Sequence, residues 1–243
     1  MPSRPLTDRE KLTSCVAIGS FVAKQDTVMA EQFRKLRGLI TTQTRAKGLR
    51  TLLVTSCMPE EGKTTVTLNL ASTIARGPDD SVILVDADLR RLNLTKELGL
   101  QNAPGLLDIL QQRVSIEQAM VDTEIGGLTL IPGGVNPGNP AELVESERMR
   151  DFLRQLTEQY RDSYVIIDST PIVSTSEVHV LSGMVDGVIV VIMAEKTRRD
   201  VVKRELKTLN AGSILGVVLN CAEFETSDYY RKYQKYYSVK EKS

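Results

Sequence analysis

"TLLVTSCMPEEGKTTVTLNLA" occupies residues 51–71, and its reading decides the fold. A β-branched apolar run leads through a polar turn into a helical pattern, a strand–loop–helix unit. At the turn stand Gly62, Lys63, Thr64 and Thr65. In such a unit the backbone N–H groups of the loop and the positive end of the following helix cradle phosphate oxygens. Lys63 then reaches β- and γ-phosphates, and Thr64 offers its hydroxyl to Mg²⁺. Pro59, Glu60, Glu61, Gly62 and Thr65 complete the binding turn. The strict pattern wants Gly at the first loop position, where this chain has Ser56. A Gly-Lys-Thr triplet alone recurs by chance, but the flanking strand and helix favour a phosphate site over a plain turn.

The same alternation continues outward. Strands are expected at 51–56, 82–88, 128–133, 164–168, 187–194 and 214–220. Several are apolar throughout, as parallel strands covered on both faces are. Helices are expected at 62–76, 105–111, 115–122, 140–161, 175–183 and 197–211, with an extra one at 28–43 before the first strand. This predicts an α/β fold, a doubly wound and mostly parallel sheet flanked by helices. We divide the chain into an extension (1–27), one domain (28–222) and a tail (223–243). The first fourteen residues and the tail read as mobile termini.

A magnesium-bound nucleotide needs carboxylates at neighbouring strand ends. "VILVDADLRR" supplies Asp86 and Asp88, two residues apart and so on one side of an extended chain. "YVIIDSTP" supplies Asp168. The carboxyl edge of an α/β sheet is where ligands bind. Each aspartate singly can be a helix N-cap; all three with Lys63 point to a nucleotide site.

The totals exclude other classes. With 243 residues, 41% apolar and 26% charged, the chain is long enough for one well-buried domain. A net charge of zero argues against a general nucleic-acid binder. Cys15, Cys57 and Cys221 are few, odd in number and far apart, which suits a reducing cytoplasm and excludes a disulfide framework or metal cluster. The lone His179 has no metal-ligand neighbour. The opening "MPSRPLTDREKLTS" has no apolar core of a signal peptide, and the run "VIVVIMA" at 188–194 is too short to span a bilayer. A soluble protein is expected, reaching a membrane only through a partner.

Five of the seven tyrosines crowd into "SDYYRKYQKYY" at 227–237: Tyr229, Tyr230, Tyr233, Tyr236 and Tyr237. They read as a helix stripe, as base-stacking platforms between cations, or as substrates.

Together, "SCMPEEGKTT", "ILVDADLRR" and "YVIIDSTP" resemble the three motifs of the bacterial tyrosine autokinases of capsule and exopolysaccharide synthesis. "GLQNAPGLLDIL" and "IPGGVNPGNPAELVESERM" extend the likeness over roughly 28–237. The resemblance implies a P-loop NTPase fold of the partition-ATPase-like type, with ATP and Mg²⁺ as cofactors. It implies that Lys63 holds phosphates, that Thr64, Asp88 and Asp168 organise Mg²⁺, and that Asp86 accepts the tyrosine proton. It makes the five tail tyrosines phosphate acceptors. Asn220 either recognises adenine or simply turns the chain at a strand end. Glu31, Arg34 and Arg37 fit the family's Glu-x-x-Arg-x-x-Arg face, which joins subunits into a ring; an ordinary solvated face reads the same way. The implied partners are other copies of the chain and a membrane chain-length regulator on a separate chain, with no nucleic acid; the implied location is the inner face of the cell membrane. Departures are Leu92, where the family often has Pro, and Asp168-Ser169-Thr170-Pro171 in place of Asp-Thr-Pro-Pro. The alternatives are a partition or division ATPase and a nucleotide-gated scaffold. The ATPases carry a second lysine five residues before the invariant one, and here that position is Met58.

Overall fold

The computed structural model describes residues 16–19, 22–24, 27–78, 80–135 and 140–222. The tyrosines at 229–237 and the first fourteen residues lie outside it. Among the described residues seven strands are formed: β1 (Thr51–Ser56), β2 (Ser81–Asp86), β3 (Val121–Asp122), β4 (Leu128–Ile131), β5 (Ser163–Asp168), β6 (Gly187–Met193) and β7 (Ile214–Asn220). They make one sheet in the order β3–β4–β2–β5–β1–β6–β7, parallel except for β3 at one edge. The doubly wound α/β fold expected from the apolar runs is present.

Strand side chains alternate between faces, which explains why the strands are apolar throughout. Leu53, Val85, Ile167 and Val190 enter one core; Leu52, Val54, Leu84, Ile166 and Ile189 enter the other. The second core lies under α1 (Val28–Lys47) and α2 (Lys63–Ala75). Thr27 caps α1 by accepting from the Ala30 N–H. The helix runs four residues beyond the expected end at 43 and stops at Gly48, whose φ of 68° a side chain would strain. Thr44 of α1 shares a hydrogen bond with the buried Tyr164 hydroxyl at 2.9 Å, pinning the helix to β5.

Other boundaries shifted for local reasons. The second strand stops at Asp86 rather than 88: the Ala87 N–H still donates to the Asp168 carbonyl of β5, but the chain then turns, with the Asp88 carbonyl accepting from the Arg91 and Leu92 N–H groups. Leu92 closes that turn at φ 52°, a value that the ring of a proline forbids. A short helix that the sequence reading missed, α3 (Asn93–Glu97), follows it. α4 (Leu106–Leu110) matches its expected position. The helix expected at 115–122 is α5 (Ile116–Ala119), and its last residues instead form edge strand β3. The helix expected at 140–161 is two, α6 (Pro140–Val144) and α7 (Glu147–Gln159), because the chain is extended at Ser146, whose hydroxyl donates back to the Leu143 carbonyl. The remaining α-helices among the described residues are α8 (Glu177–Ser182) and α9 (Arg199–Leu206), the latter shorter than its expected 197–211. Packing also begins before residue 28: Ile18 and Val22 are buried, and the Ala23 N–H donates to Asn69 Oδ1 of α2.

Candidate active site

Register brings the site together. Asp86 of β2 and Val54 of β1 both lie beside Asp168 of β5, so three carboxyl-terminal strand ends meet at one point. The loop at 57–62 leaves β1 there and feeds α2, whose first residue is Lys63.

The loop is held from behind. Glu61 turns its buried carboxylate inward, accepting from the Met58 N–H at 2.7 Å, the Met193 N–H at 3.4 Å and the Thr197 hydroxyl. Asn220, at the end of β7, donates through Nδ2 to the Glu61 carbonyl at 2.9 Å. The structure thus sets Asn220 against the loop backbone. Gly62 has φ 80°, and a Cβ there would stand 2.2 Å from Asn220 Nδ2, so only glycine fits. Glu60 and Thr65 are exposed and Pro59 half-buried, forming the outer part of the turn.

Inside it, Lys63 Nζ donates to Asp168 Oδ1 at 3.1 Å and lies 3.7 Å from Asp88 Oδ2. The Thr64 hydroxyl donates to Asp168 Oδ2 at 2.8 Å. Thr67 Oγ1 lies 3.0 Å from Asp168 Oδ1, a contact the sequence reading missed. Its place one helical turn after Thr64 was the available signal. Asp86 accepts from the Thr95 N–H at 2.9 Å and the Thr95 hydroxyl at 2.6 Å, both on Oδ2. Thr95 lies on the missed helix α3 and had no local signal. Arg90 bonds the buried Glu177 at 2.9 Å, linking the Asp88 turn to α8.

Electrostatics follow from three carboxylates facing one ammonium out of water. Burial pushes the Asp86 carboxyl up to about 7, with the Asp168 charge adding and the Thr95 bonds opposing. Burial also raises Asp88, against the pull of Lys63. For Lys63 burial works downward, but Asp168, Asp88 and Asp86 outweigh it and keep the ammonium above its usual range. This surplus of negative charge and hard oxygen donors fits a divalent cation. No group of three carboxylate, imidazole or thiolate side chains forms a protein-only cage among the described residues. Mg²⁺ commonly takes only one or two carboxylates and fills its remaining positions with water and phosphate oxygens.

The other singled-out residues lie elsewhere. On α1, Arg34 Nε pairs with Glu31 Oε2 at 2.8 Å, both half-exposed, while Arg37 Nη1 donates to the Thr73 carbonyl of α2 at 3.2 Å. His179 Nε2 meets the Thr208 hydroxyl at 2.9 Å near the surface. Cys57 is buried and its thiol is pushed up to about 12, by burial first and Glu61 second, which disfavours the nucleophilic thiolate. Among the described residues no helix is long and apolar enough to cross a membrane.

A family model described as an AAA domain matches residues 60–211. Tyrosine-protein kinase YwqD of Bacillus subtilis is 31% identical over 193 residues, 79% of this chain and 80% of that protein. The chain belongs to the bacterial tyrosine-protein kinases. Tyrosine-protein kinase ptk of Acinetobacter johnsonii is 32% identical over 200 residues, 82% of this chain but 26% of that protein, so the chain spans about a quarter of that relative. The crystal structure of the chimerical protein CapA2B2 matches with a TM-score of 0.76 and 28% identity, over 83% of this chain and 88% of that one. The MinC:MinD cell division protein complex of Aquifex aeolicus, at a TM-score of 0.61 and 22% identity over 74% of this chain and 72% of that one, shares the fold alone. A bacterial tyrosine-protein kinase domain with an ATP-binding phosphate loop at its carboxyl edge is the architecture described above.

Proposed function

We propose that this kinase moves the γ-phosphoryl group of ATP onto tyrosines in the tail of a second copy: Tyr229, Tyr230, Tyr233, Tyr236 and Tyr237. The observation that carries the reading is the convergence of Lys63, Thr64, Asp88 and Asp168 at the start of α2. Phosphoryl transfer asks for positioning and charge neutralisation more than for covalent chemistry. Lys63 leaves Asp168 to hold phosphate oxygens, together with the backbone N–H groups at 60–65. Thr64, Asp88 and Asp168 would hold Mg²⁺, which would supply neutralisation of charge on the phosphates. The phenol oxygen bonds to the γ-phosphorus as the bond to ADP breaks. Asp86 takes the phenol proton; a carboxyl near 7 is a useful base at neutral pH, whereas the phenol ionises only near 10. Asp86 is fully buried under Thr95, so α3, which carries Thr95, must shift to admit the hydroxyl.

Copies assemble as a ring through Glu31, Arg34 and Arg37, and a membrane chain-length regulator on a separate chain brings the kinase to the inner membrane face. There phosphorylation regulates exopolysaccharide or capsule synthesis and export. Peptide mass spectrometry of chain incubated with Mg-ATP is expected to find phosphate on residues 229–237. A variant with Phe at all five positions should bind ATP and gain none there. ATP hydrolysis with no phosphotyrosine in the parent chain would instead support a partition-type ATPase.

A further inference from the structure

The amino edge of the sheet, opposite the phosphate loop, holds a groove of about 520 Å³ where β1, β5 and β6 begin. Arg50, Arg150, Arg154 and Arg161 line it, with Tyr160 in its wall. Every cation lining it is arginine. Its carboxylate, Asp186, is occupied, accepting from the Arg50 N–H, the Thr51 N–H and the Thr51 hydroxyl at 2.8 Å each. The guanidinium groups are available for exchange. Among the described residues Arg150 and Arg154 pair with Glu147 and Asp151, one turn back on the same exposed helix face. Such exposed pairs are worth only tenths of a kcal/mol and give way to a stronger anion. Arg161 donates Nε to the Glu158 carbonyl at 3.1 Å, and Arg50 lies over the Tyr164 ring at 5.0 Å. In a chain of zero net charge, this is a concentration of positive charge with no part in the phosphate site.

We infer that this groove binds phosphotyrosine in segment 229–237, a product-docking site that rests on the proposed tail phosphorylation. Arginine's planar fork matches a phosphate's oxygens two at a time, and guanidinium groups also stack on aromatic rings. Concavity favours a peptide over a bilayer, since a flat anionic surface cannot enter a groove. Charge gives the switch: the unmodified stretch 224–243 has five Lys/Arg against three Asp/Glu and is repelled. Each phosphate adds roughly −1.5 to −2 charges, so five reverse the sign. Reach is sufficient: the 9 to 17 residues from Asn220 to Tyr229–Tyr237 can span at most about 30 to 55 Å, against a strand height of about 20 Å. Docking there would draw a finished tail away from the carboxylate-rich site.

The test uses the full chain, treated with phosphatase and free of nucleotide, and a fluorescent peptide of residues 226–240 with all five tyrosines phosphorylated. Anisotropy should show saturable binding, at least about tenfold weaker for the unphosphorylated peptide. Arg150→Gln with Arg154→Gln should weaken it about tenfold, and Lys at both positions should recover only part. Because the peptide is phosphorylated synthetically, failure here leaves the kinase reading standing, and autophosphorylation of the Gln variant checks that reading separately. Equal affinity for the two peptides, unchanged affinity in the Gln variant, or equal binding of a polyglutamate of matched charge would each overturn the proposal. So would a Gln variant that keeps the phosphopeptide but loses sedimentation with phosphatidylserine vesicles, which would make the groove a membrane face.

Discussion

At the carboxyl edge of the sheet, Lys63, Asp88 and Asp168 are 6%, 1% and 0% exposed, and each charge touches another. At the amino edge, Arg150 and Arg154 are 51% and 65% exposed, beside carboxylates of their own helix. The same kind of ion pair therefore does different things. Buried, a missing partner strands a charge that water cannot reach, so the set must be matched by protein or by ligand. Exposed, water and salt substitute for either partner, so the pairs add little stability and are free to be exchanged.

The sharpest way to break this contrast is Lys63→Met. It removes the one ammonium facing three carboxylates, so the ligand-free chain should lose roughly 3 kcal/mol in urea unfolding. Phosphotyrosine formation should fall by about 10³ or more, since a preorganised phosphate-binding charge is gone. A folded Lys63→Met chain with ordinary activity would show that this cluster is not the site.

Asp86→Asn sharpens the contrast with pH. The folded-state value of about 7 stands above the unfolded value, so the folded chain binds the proton more tightly. Stability is then full below about pH 4 and declines as pH rises to about 7, by up to about 4 kcal/mol at 1.36 kcal/mol per unit. Asparagine still presents an oxygen to both Thr95 donors but carries no charge. Denaturant titrations between pH 5 and 8 should therefore be flatter for Asp86→Asn, and the variant should be the more stable at pH 8 while transferring phosphate poorly. A parallel pH response in the two proteins would contradict the burial argument.

The smallest effect belongs to the amino edge. Arg154→Gln should change unfolding free energy by less than about 0.5 kcal/mol, with little dependence on salt. A loss above about 2 kcal/mol would mean that the groove is structural and its arginines are not free to exchange partners.

Much of the carboxyl edge was legible because its signals are local. Gly62-Lys63-Thr64 sits between a strand and a helix, and Asp86 and Asp168 each follow an apolar run. Thr67 was within reach of helical spacing, but Thr95 was not, because its helix is one short turn with weak periodicity. The break at Ser146 was hidden by a pattern that stays amphipathic on both sides of it. For Asn220 the sequence left adenine recognition and a strand-end turn both open. Its place against the loop depends on a contact with the Glu61 carbonyl across 159 residues.

By itself, then, the sequence determined six of the seven strand positions, the strand–loop–helix unit around Gly62-Lys63-Thr64 and that helices cover both faces of the sheet. Those properties live in runs of about six to twenty residues, where apolar period, glycine and capping chemistry act directly. Only the tertiary structure decided that Asp86 lies beside Asp168, that Glu61 and Asn220 hold the loop from behind, and that Arg50, Arg150, Arg154 and Arg161 share one groove. The alternation of a strand gives the face of each side chain but not its neighbour; strand order and register bring residues far apart in sequence together, and with them the charge each site carries.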